Sequence, residues 1–104
     1  MTRVVALVDD LIDQSRITAA APDTVTTRSA GDVAGADVVV VDLGGHGDSI
    51  TEVRDLAPEA FVVAFGRHDD GAALEAAREA GADRVLARSK FFADVAGSLE
   101  PTDR

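Results

Sequence analysis

Three aspartates stand at positions where they could share a cation. Asp9 and Asp10 directly follow an apolar run of the sequence, and Asp42 closes a second such run. If both runs are strands of a parallel sheet, their carboxyl ends meet at the edge where ligands of α/β proteins bind. Carboxylates held this close repel each other unless a cation neutralises them, and hard oxygen ligands suit Mg²⁺. We therefore predict a shared Mg²⁺ site at this edge.

Five runs predict the strands that would position these side chains. They are Arg3–Val8, Thr24–Arg28, Asp37–Asp42, Phe61–Phe65 and Arg84–Ala87. The first, third and fourth are rich in valine and lack the alternation of a half-exposed strand, which indicates strands covered on both faces of a parallel sheet. The second run is weaker and follows a proline, so we predict an edge strand.

Helical patterns separate these runs. They are Leu11–Ala21, Ser49–Leu56 with Ser49 as its cap, Ala72–Ala80 ending at Gly81, and a final amphipathic helix that buries Phe92, Val95 and Leu99. The segment Ala30–Ala36 contains two glycines and predicts a second helix that is shortened or absent. Strands alternating with helices indicate a small doubly wound α/β fold with helices on both faces of the sheet.

Length and composition favour one globular domain. The chain has 104 residues, 46% hydrophobic and 28% charged, so we expect a single domain over residues 1–100 and a frayed tail over 101–104. No apolar run is long enough to span a membrane, and no secretory signal is visible at the N-terminus. With no cysteine there is no disulfide or thiolate metal site. We expect a cytoplasmic protein.

The charge balance excludes several classes of partner. A formal net charge of −9 argues against nucleic-acid binding and against an anionic membrane surface, since both need basic patches. Four phenylalanines, with no tryptophan or tyrosine, leave little material for stacking on bases. The remaining classes are cations and basic protein surfaces.

Three stretches of the sequence resemble the receiver domains of two-component response regulators. They are ALVDDLIDQSRI, ADVVVVDL and FVVAFGRHDDGAALEAAREAGADRVLARSKF. The resemblance covers almost the whole chain and implies a flavodoxin/CheY-like sheet of strand order 2-1-3-4-5. It also implies that Asp42 is the phosphoacceptor. Asp10 and Asp42 would ligate Mg²⁺ directly with the backbone carbonyl of Gly44, and Asp9 would act through a water.

The sequence departs from the family at the residues that sense a phosphoryl group. Gly66 stands where the family has a Ser or Thr that hydrogen-bonds this group, and Val85 replaces the aromatic switch residue. Arg88 replaces the Lys that pairs with the phosphoryl group, and Ser89 replaces the following Pro. Arg88 keeps the charge but differs from lysine in shape and reach. The run Gly44–Gly47 takes the place of the turn after the phosphoacceptor and predicts a flexible loop.

The resemblance implies a signalling domain and leaves three hypotheses open. The first is a phosphorelay receiver phosphorylated on Asp42, with a histidine kinase or an effector protein as its partner. The second is a pseudo-receiver that binds a protein constitutively, and the third is a small Mg²⁺-dependent phosphohydrolase. We expect a phosphoacceptor or interaction domain and no enzyme. The sequence is compatible with a monomer or a dimer.

Four further side chains lie near the same edge. His46 and His68 fall on two loops and could form a transition-metal site, but histidines on exposed loops usually ligate nothing. Arg67 and Arg88 could clamp an anion, although surface pairing with the neighbouring Asp69 or Asp83 is the simpler expectation.

Overall fold

The computed structural model describes residues 2–101, which are organised around one five-stranded parallel sheet. The strands are β1 (Val4–Leu7), β2 (Val25–Thr27), β3 (Val38–Asp42), β4 (Phe61–Gly66) and β5 (Arg84–Ala87). Their order is β2-β1-β3-β4-β5, and every neighbouring pair is parallel. The predicted sheet, its strand order and the edge position of β2 are confirmed.

Six helices flank the sheet in the described part of the chain. They are α1 (Leu11–Ala20), α2 (Leu43–His46), α3 (Ile50–Leu56), α4 (Gly71–Ala80), α5 (Arg88–Ala93) and α6 (Val95–Ser98). Two short 3₁₀ turns cover Ala30–Val33 and Gly47–Ser49. The first turn lies between β2 and β3, where the sequence predicts a shortened helix.

The valines of β3 explain why the central runs are uninterrupted. Val38 and Val40 are fully buried against one core, to which α1, α5 and α6 contribute. Val39 and Val41 are fully buried against the other core, to which α3 and α4 contribute. Because both faces of the strand are covered, every position of the run favours an apolar side chain.

The loop expected after β3 is a helix instead. The run Gly44–Gly47 falls mostly within α2, and the side chain of Asp42 caps this helix by accepting a hydrogen bond of 2.9 Å from the Gly44 amide. This bond satisfies one of the amides that a helix leaves free at its N-terminus. Ser49 occupies the N-cap position of α3 as predicted, but its side chain makes no capping hydrogen bond.

The single helix expected at the end of the chain is divided in two. Asp94 lies between α5 and α6 with a φ of −154°, and its side chain accepts a hydrogen bond from the amide of Gly97 in α6. The division rotates the apolar face, so that Phe91 is fully buried and Phe92 is only partly buried. Val95 and Leu99 are buried as predicted.

The predicted end of α4 is confirmed at Gly81. This residue has a φ of +118°, a conformation that L side chains rarely adopt, and its amide bonds the last carbonyls of the helix. The side chain of Arg54 packs against it, held by hydrogen bonds from both terminal nitrogens to the carbonyl oxygen of Ala60. The turn therefore needs glycine for two reasons: its φ is positive, and the side chain of Arg54 occupies the place of a β-carbon.

We expect Gly81→Ala to lower the free energy of unfolding by about 1–2 kcal/mol, measured by urea denaturation. A β-carbon at this position would lie 2.7 Å from Cγ of Arg54, which adds a contact to the backbone strain. Gly71→Ala is the matched control, since nothing lies within 4 Å of its added β-carbon and its φ is not positive. Equal effects of the two substitutions would contradict the prediction.

Two expectations concern the ends of the chain and membranes. Of the predicted tail at 101–104, Pro101 is described and exposed, whereas 102–104 lie outside the described residues, as does Met1. Among residues 2–101, no helix has the length and apolar character needed to cross a membrane.

Candidate functional site

A polar pocket opens at the carboxyl ends of the central strands. Its lining consists of four aspartates, three glycines and two arginines: Asp9, Asp10, Asp13, Asp42, Gly44, Gly45, Gly66, Arg67 and Arg88. The structure therefore brings together Asp9, Asp10, Asp42, Gly44, Gly66 and Arg88, whereas His46 and His68 do not line the pocket. Asp13 is an addition that the sequence analysis missed.

Asp10 and Asp42 both use a carboxylate oxygen to start the helix that follows their strand. Oδ1 of Asp10 accepts hydrogen bonds from the amides of Ile12 (2.9 Å) and Asp13 (3.0 Å) at the start of α1. Oδ1 of Asp42 accepts from the Gly44 amide at the start of α2. Each carboxylate is thus oriented by its own helix, as is common for acidic residues at strand–helix turns.

Asp9 is turned toward a histidine. Its Oδ1 lies 2.8 Å from Nε2 of His46 and 3.8 Å from Nε of Arg28. His46 is largely covered, and His68 is exposed on the loop after β4. The two histidines therefore lie in different surroundings, and His46 is a hydrogen-bonding partner of Asp9.

Arg88 places its guanidinium among the aspartates. Nη2 donates a hydrogen bond of 2.9 Å to Oδ1 of Asp13, whose side chain is only 6% exposed. The hydrogen bond with Asp13 raises the pKa of Arg88; burial opposes this, and the charges of Asp13, Asp42 and Asp10 add to it. The guanidinium carbon also lies 5.4 Å and 5.2 Å from the ring centres of Phe65 and Phe92.

The two arginines of the pocket have different partners. Arg67 donates two hydrogen bonds, of 3.0 and 2.9 Å, to the carboxylate of Asp69, which confirms the expected pairing with a neighbour. This contact lowers the pKa of Asp69. Arg88 pairs instead with Asp13, 75 positions away in the sequence. The local pairing expected for Arg88 is wrong because α1 brings a buried carboxylate to the start of α5.

The end of β4 is closed by a leucine. A β-carbon built on Gly66 would lie 3.1 Å from Cδ1 and 3.2 Å from Cβ of Leu43, and 3.5 Å from Cδ2 of Leu74. Gly66 is itself buried. The first residue of α2 therefore packs directly beside this strand end, and a side chain at position 66 would require Leu43 to shift by a few tenths of an ångström.

The donor atoms of the pocket suit Mg²⁺ by their chemistry. Carboxylate and carbonyl oxygens are the ligands that this ion prefers, with near-octahedral geometry. Within residues 2–101, however, no three acidic or histidine side chains are grouped closely enough to hold a metal ion. Asp10 and Asp42 are oriented by backbone amides and Asp9 by His46, as described above. Mg²⁺ in this pocket would therefore be held by one or two of these carboxylates together with water, as is usual for this ion.

Comparison with solved structures establishes the fold. A response regulator protein from Burkholderia pseudomallei, with a phosphorylated aspartic acid and a calcium ion, superimposes with a TM-score of 0.79 at 16% identity, covering 96% of this chain and 67% of that one. A receiver domain protein from Clostridium thermocellum gives 0.78 at 16% identity, covering 95% and 91%. This chain has the receiver fold.

A third receiver structure is also similar to this chain, whereas comparison by sequence gives no match. The BeF₃-activated receiver domain of DrrB gives a TM-score of 0.73 at 20% identity, covering 97% of this chain and all of that one. DrrB comes from Thermotoga maritima. No family model and no curated protein matches the sequence. The receiver fold predicted from the resemblance is therefore confirmed by the structural comparison. The sequence identities to these structures are only 16–20%.

Beside the pocket, the receiver fold exposes two large apolar side chains. Leu11 and Ile12, in the first turn of α1, are 75% and 70% exposed. They are the two residues after Asp10 in the sequence, so that apolar and acidic groups lie next to each other at this end of the sheet. Two adjacent apolar side chains are therefore open to solvent beside the acidic pocket.

Proposed function

We propose that this chain is a cytoplasmic signalling module of receiver type that binds a partner protein constitutively, without phosphorylation. The observation that carries the proposal is the packing of Leu43 against Gly66. The resemblance to receivers places at this position a hydroxyl that hydrogen-bonds the phosphoryl group. Here the hydroxyl is missing from the sequence, and the space beside the strand is taken by a leucine.

The contacts of Arg88 support the same proposal. The resemblance places at position 88 the cation that pairs with a phosphoryl group on Asp42. The guanidinium of Arg88 is instead bonded to Asp13 and lies beside two aromatic rings. To meet an incoming anion it would first have to leave a buried carboxylate, which costs free energy.

The partner surface in this proposal consists of Leu11 and Ile12 with the adjoining acidic pocket. A protein partner such as a histidine kinase or an effector would cover the two apolar side chains and meet Asp9 and Asp10 with basic groups. The net charge of −9 favours a basic partner surface over a nucleic acid. The interaction would use groups that are exposed in the unmodified chain.

A second candidate function is phosphorylation of Asp42. It is favoured by the presence of Asp9, Asp10 and Asp42 in one pocket, and by the phosphorylated aspartic acid in the structure from B. pseudomallei. In this candidate, the carboxylate of Asp42 accepts a phosphoryl group, and the domain binds its partner only in that form.

Incubation with acetyl phosphate and Mg²⁺, followed by intact-mass spectrometry, separates the two candidates. We expect the mass of this chain to stay unchanged, while the DrrB receiver domain in a parallel reaction serves as a positive control. Asp42→Asn is the matched negative control. A phosphorylated species of the parent chain that disappears in Asp42→Asn would overturn the proposal and establish the second candidate.

Cross-linking in cells tests the binding part of the proposal. Proteins captured by the parent chain should also be captured by Asp42→Asn, and should be lost with Leu11→Ser/Ile12→Ser. Leu56→Ser is a matched control, because Leu56 is an exposed leucine on α3, a helix that packs on the other face of the sheet. Loss of the captured proteins in Asp42→Asn would contradict constitutive binding.

A further inference from the structure

A cleft between α1 and α5 brings two arginines to one aromatic ring. It has a volume of about 480 Å³ and is lined by Arg16, Arg88, Ser89, Phe92 and Ala93. The guanidinium carbon of Arg16 lies 4.2 Å from the centre of the Phe92 ring, and that of Arg88 lies 5.2 Å from it. The described residues that line this cleft include no acidic side chain, which distinguishes it from the pocket at the strand ends.

Arg16 is the charge in this cleft that the protein leaves without a counter-ion. Its side chain is exposed, and none of the ion pairs within residues 2–101 includes it. Arg88, by contrast, donates a hydrogen bond to the carboxylate of Asp13. Two guanidinium groups beside one ring repel each other, and only one of them is neutralised by a carboxylate contact. The cleft therefore favours an additional anion at Arg16.

The contact with Phe92 orients the Arg16 guanidinium without using its hydrogen-bond donors. The guanidinium carbon lies over the ring at a distance typical of cation–π contacts. A guanidinium is planar and carries its five N–H donors in that plane. In the described part of the chain, no protein acceptor takes a hydrogen bond from this side chain. The donors are therefore available to a carboxylate, which a guanidinium binds through two parallel hydrogen bonds.

The cleft continues the partner surface proposed above. Arg16 follows Ile12 by four positions in α1, so the two side chains lie on the same face of this helix. From the start of the helix, the exposed groups change from acidic at Asp10, through apolar at Leu11 and Ile12, to basic at Arg16. A protein that covers the two apolar side chains would therefore meet negative charge at one end and positive charge at the other.

We propose that Arg16 and the cleft beside it bind an acidic segment of the partner protein. The net charge of −9 repels a long polyanion such as a nucleic acid, whereas a short acidic segment brings its carboxylates to one local cation. The partner surface is then bipolar, with basic groups facing Asp10, an apolar centre and acidic groups facing Arg16. This order of charges determines the direction in which the partner lies along α1.

This inference rests on the proposed function, which supplies the partner that covers Leu11 and Ile12. The two fail separately. Phosphorylation of Asp42 would overturn the proposed constitutive binding and leave the cleft unaffected. Failure of the cleft to bind an acidic peptide would overturn the inference and leave constitutive binding through the apolar side chains in place.

An NMR titration of the full chain with acetylated hexaglutamate at low ionic strength tests the inference. We expect saturable shifts at the amides of Ser89 and Phe92. Arg16→Gln should weaken binding about three- to fivefold, the equivalent of one exposed ion pair, and should remove these shifts. Arg16→Lys keeps the charge without the planar donors, so its affinity should lie between those of the parent chain and Arg16→Gln.

Two controls separate the cleft from general charge effects. Arg3→Gln is the matched variant, because Arg3 is another exposed arginine that forms no ion pair within residues 2–101, and it should keep the affinity of the parent chain. Hexathymidylate, a nucleic acid of the same length, should bind more weakly than hexaglutamate. The absence of saturable shifts in the parent chain, their persistence in Arg16→Gln, or equal binding of hexathymidylate would each overturn the inference.

Discussion

Phe65→Ala should lower the free energy of unfolding by about 3–5 kcal/mol, the usual cost of deleting a buried aromatic ring. Phe65 is fully buried in β4. Its ring is stacked on that of Phe91 at 4.6 Å between centres and meets the edge of Phe92 at 5.2 Å. The substitution leaves a cavity between the sheet and α5, and it also removes one ring that faces Arg88. Urea denaturation followed by circular dichroism measures the loss.

Leu11→Ala is the control for this experiment. Leu11 is also a large apolar residue, but it is 75% exposed, and substitutions at such positions usually change stability by less than about 0.5 kcal/mol. An undisturbed Leu11→Ala chain would also show that the proposed partner surface is not needed for folding. A loss below about 1 kcal/mol in Phe65→Ala would show that the aromatic cluster is not the centre of this core.

Arg88→Met should lower the free energy of unfolding by about 2–3 kcal/mol at neutral pH without divalent cations. The substitution leaves the buried carboxylate of Asp13 without its ion-pair partner. The expected loss lies below that of a fully buried pair, because the Arg88 side chain is 38% exposed and solvent screens part of the interaction. Urea denaturation of the parent and the variant measures the difference.

A second substitution identifies the cause of this loss. Asp13→Leu combined with Arg88→Met should recover most of the stability, since the unpaired charge is then replaced by an apolar group. Arg67→Met is the matched control and should cost less than about 0.5 kcal/mol, because its ion pair with Asp69 is exposed. A double variant no more stable than Arg88→Met would show that packing, rather than the ion pair, accounts for the loss.

These two predictions concern neighbouring groups. The Phe65 ring and the Asp13 carboxylate hold the same guanidinium from different directions. The effects of Phe65→Ala and Arg88→Met are therefore not expected to add, as is usual for substitutions that share a partner. The aromatic cluster of the core and the charged pocket meet at Arg88.

The sheet and its polar edge follow directly from the sequence. Strands buried on both faces need continuous apolar runs, and the chain contains them at the observed places, with boundaries that differ by at most one residue. Because parallel strands end at one edge, Asp9, Asp10 and Asp42 had to meet there. Local signals also determined the end of α4, since Gly81 adopts a conformation that favours glycine.

Contacts within the pocket could not be read from the sequence in the same way. Asp13 and Arg88 are 75 positions apart, and no periodic pattern links them. Leu43 covers Gly66 because α2 begins directly after β3, where a flexible glycine loop was expected. Such contacts depend on the direction of side chains at the starts of different helices, and these directions are set only when the helices pack on the sheet.

The sequence by itself thus determined the receiver-type sheet and the acidic edge, because strand burial and strand ends depend on local runs of residues. Only the tertiary structure decided how that edge is neutralised and how much room it leaves. Those properties depend on three contacts between distant elements, namely Arg88 with Asp13, Leu43 with Gly66 and Asp9 with His46. The physical reason is that side-chain packing, unlike strand burial, is a property of pairs brought together by folding.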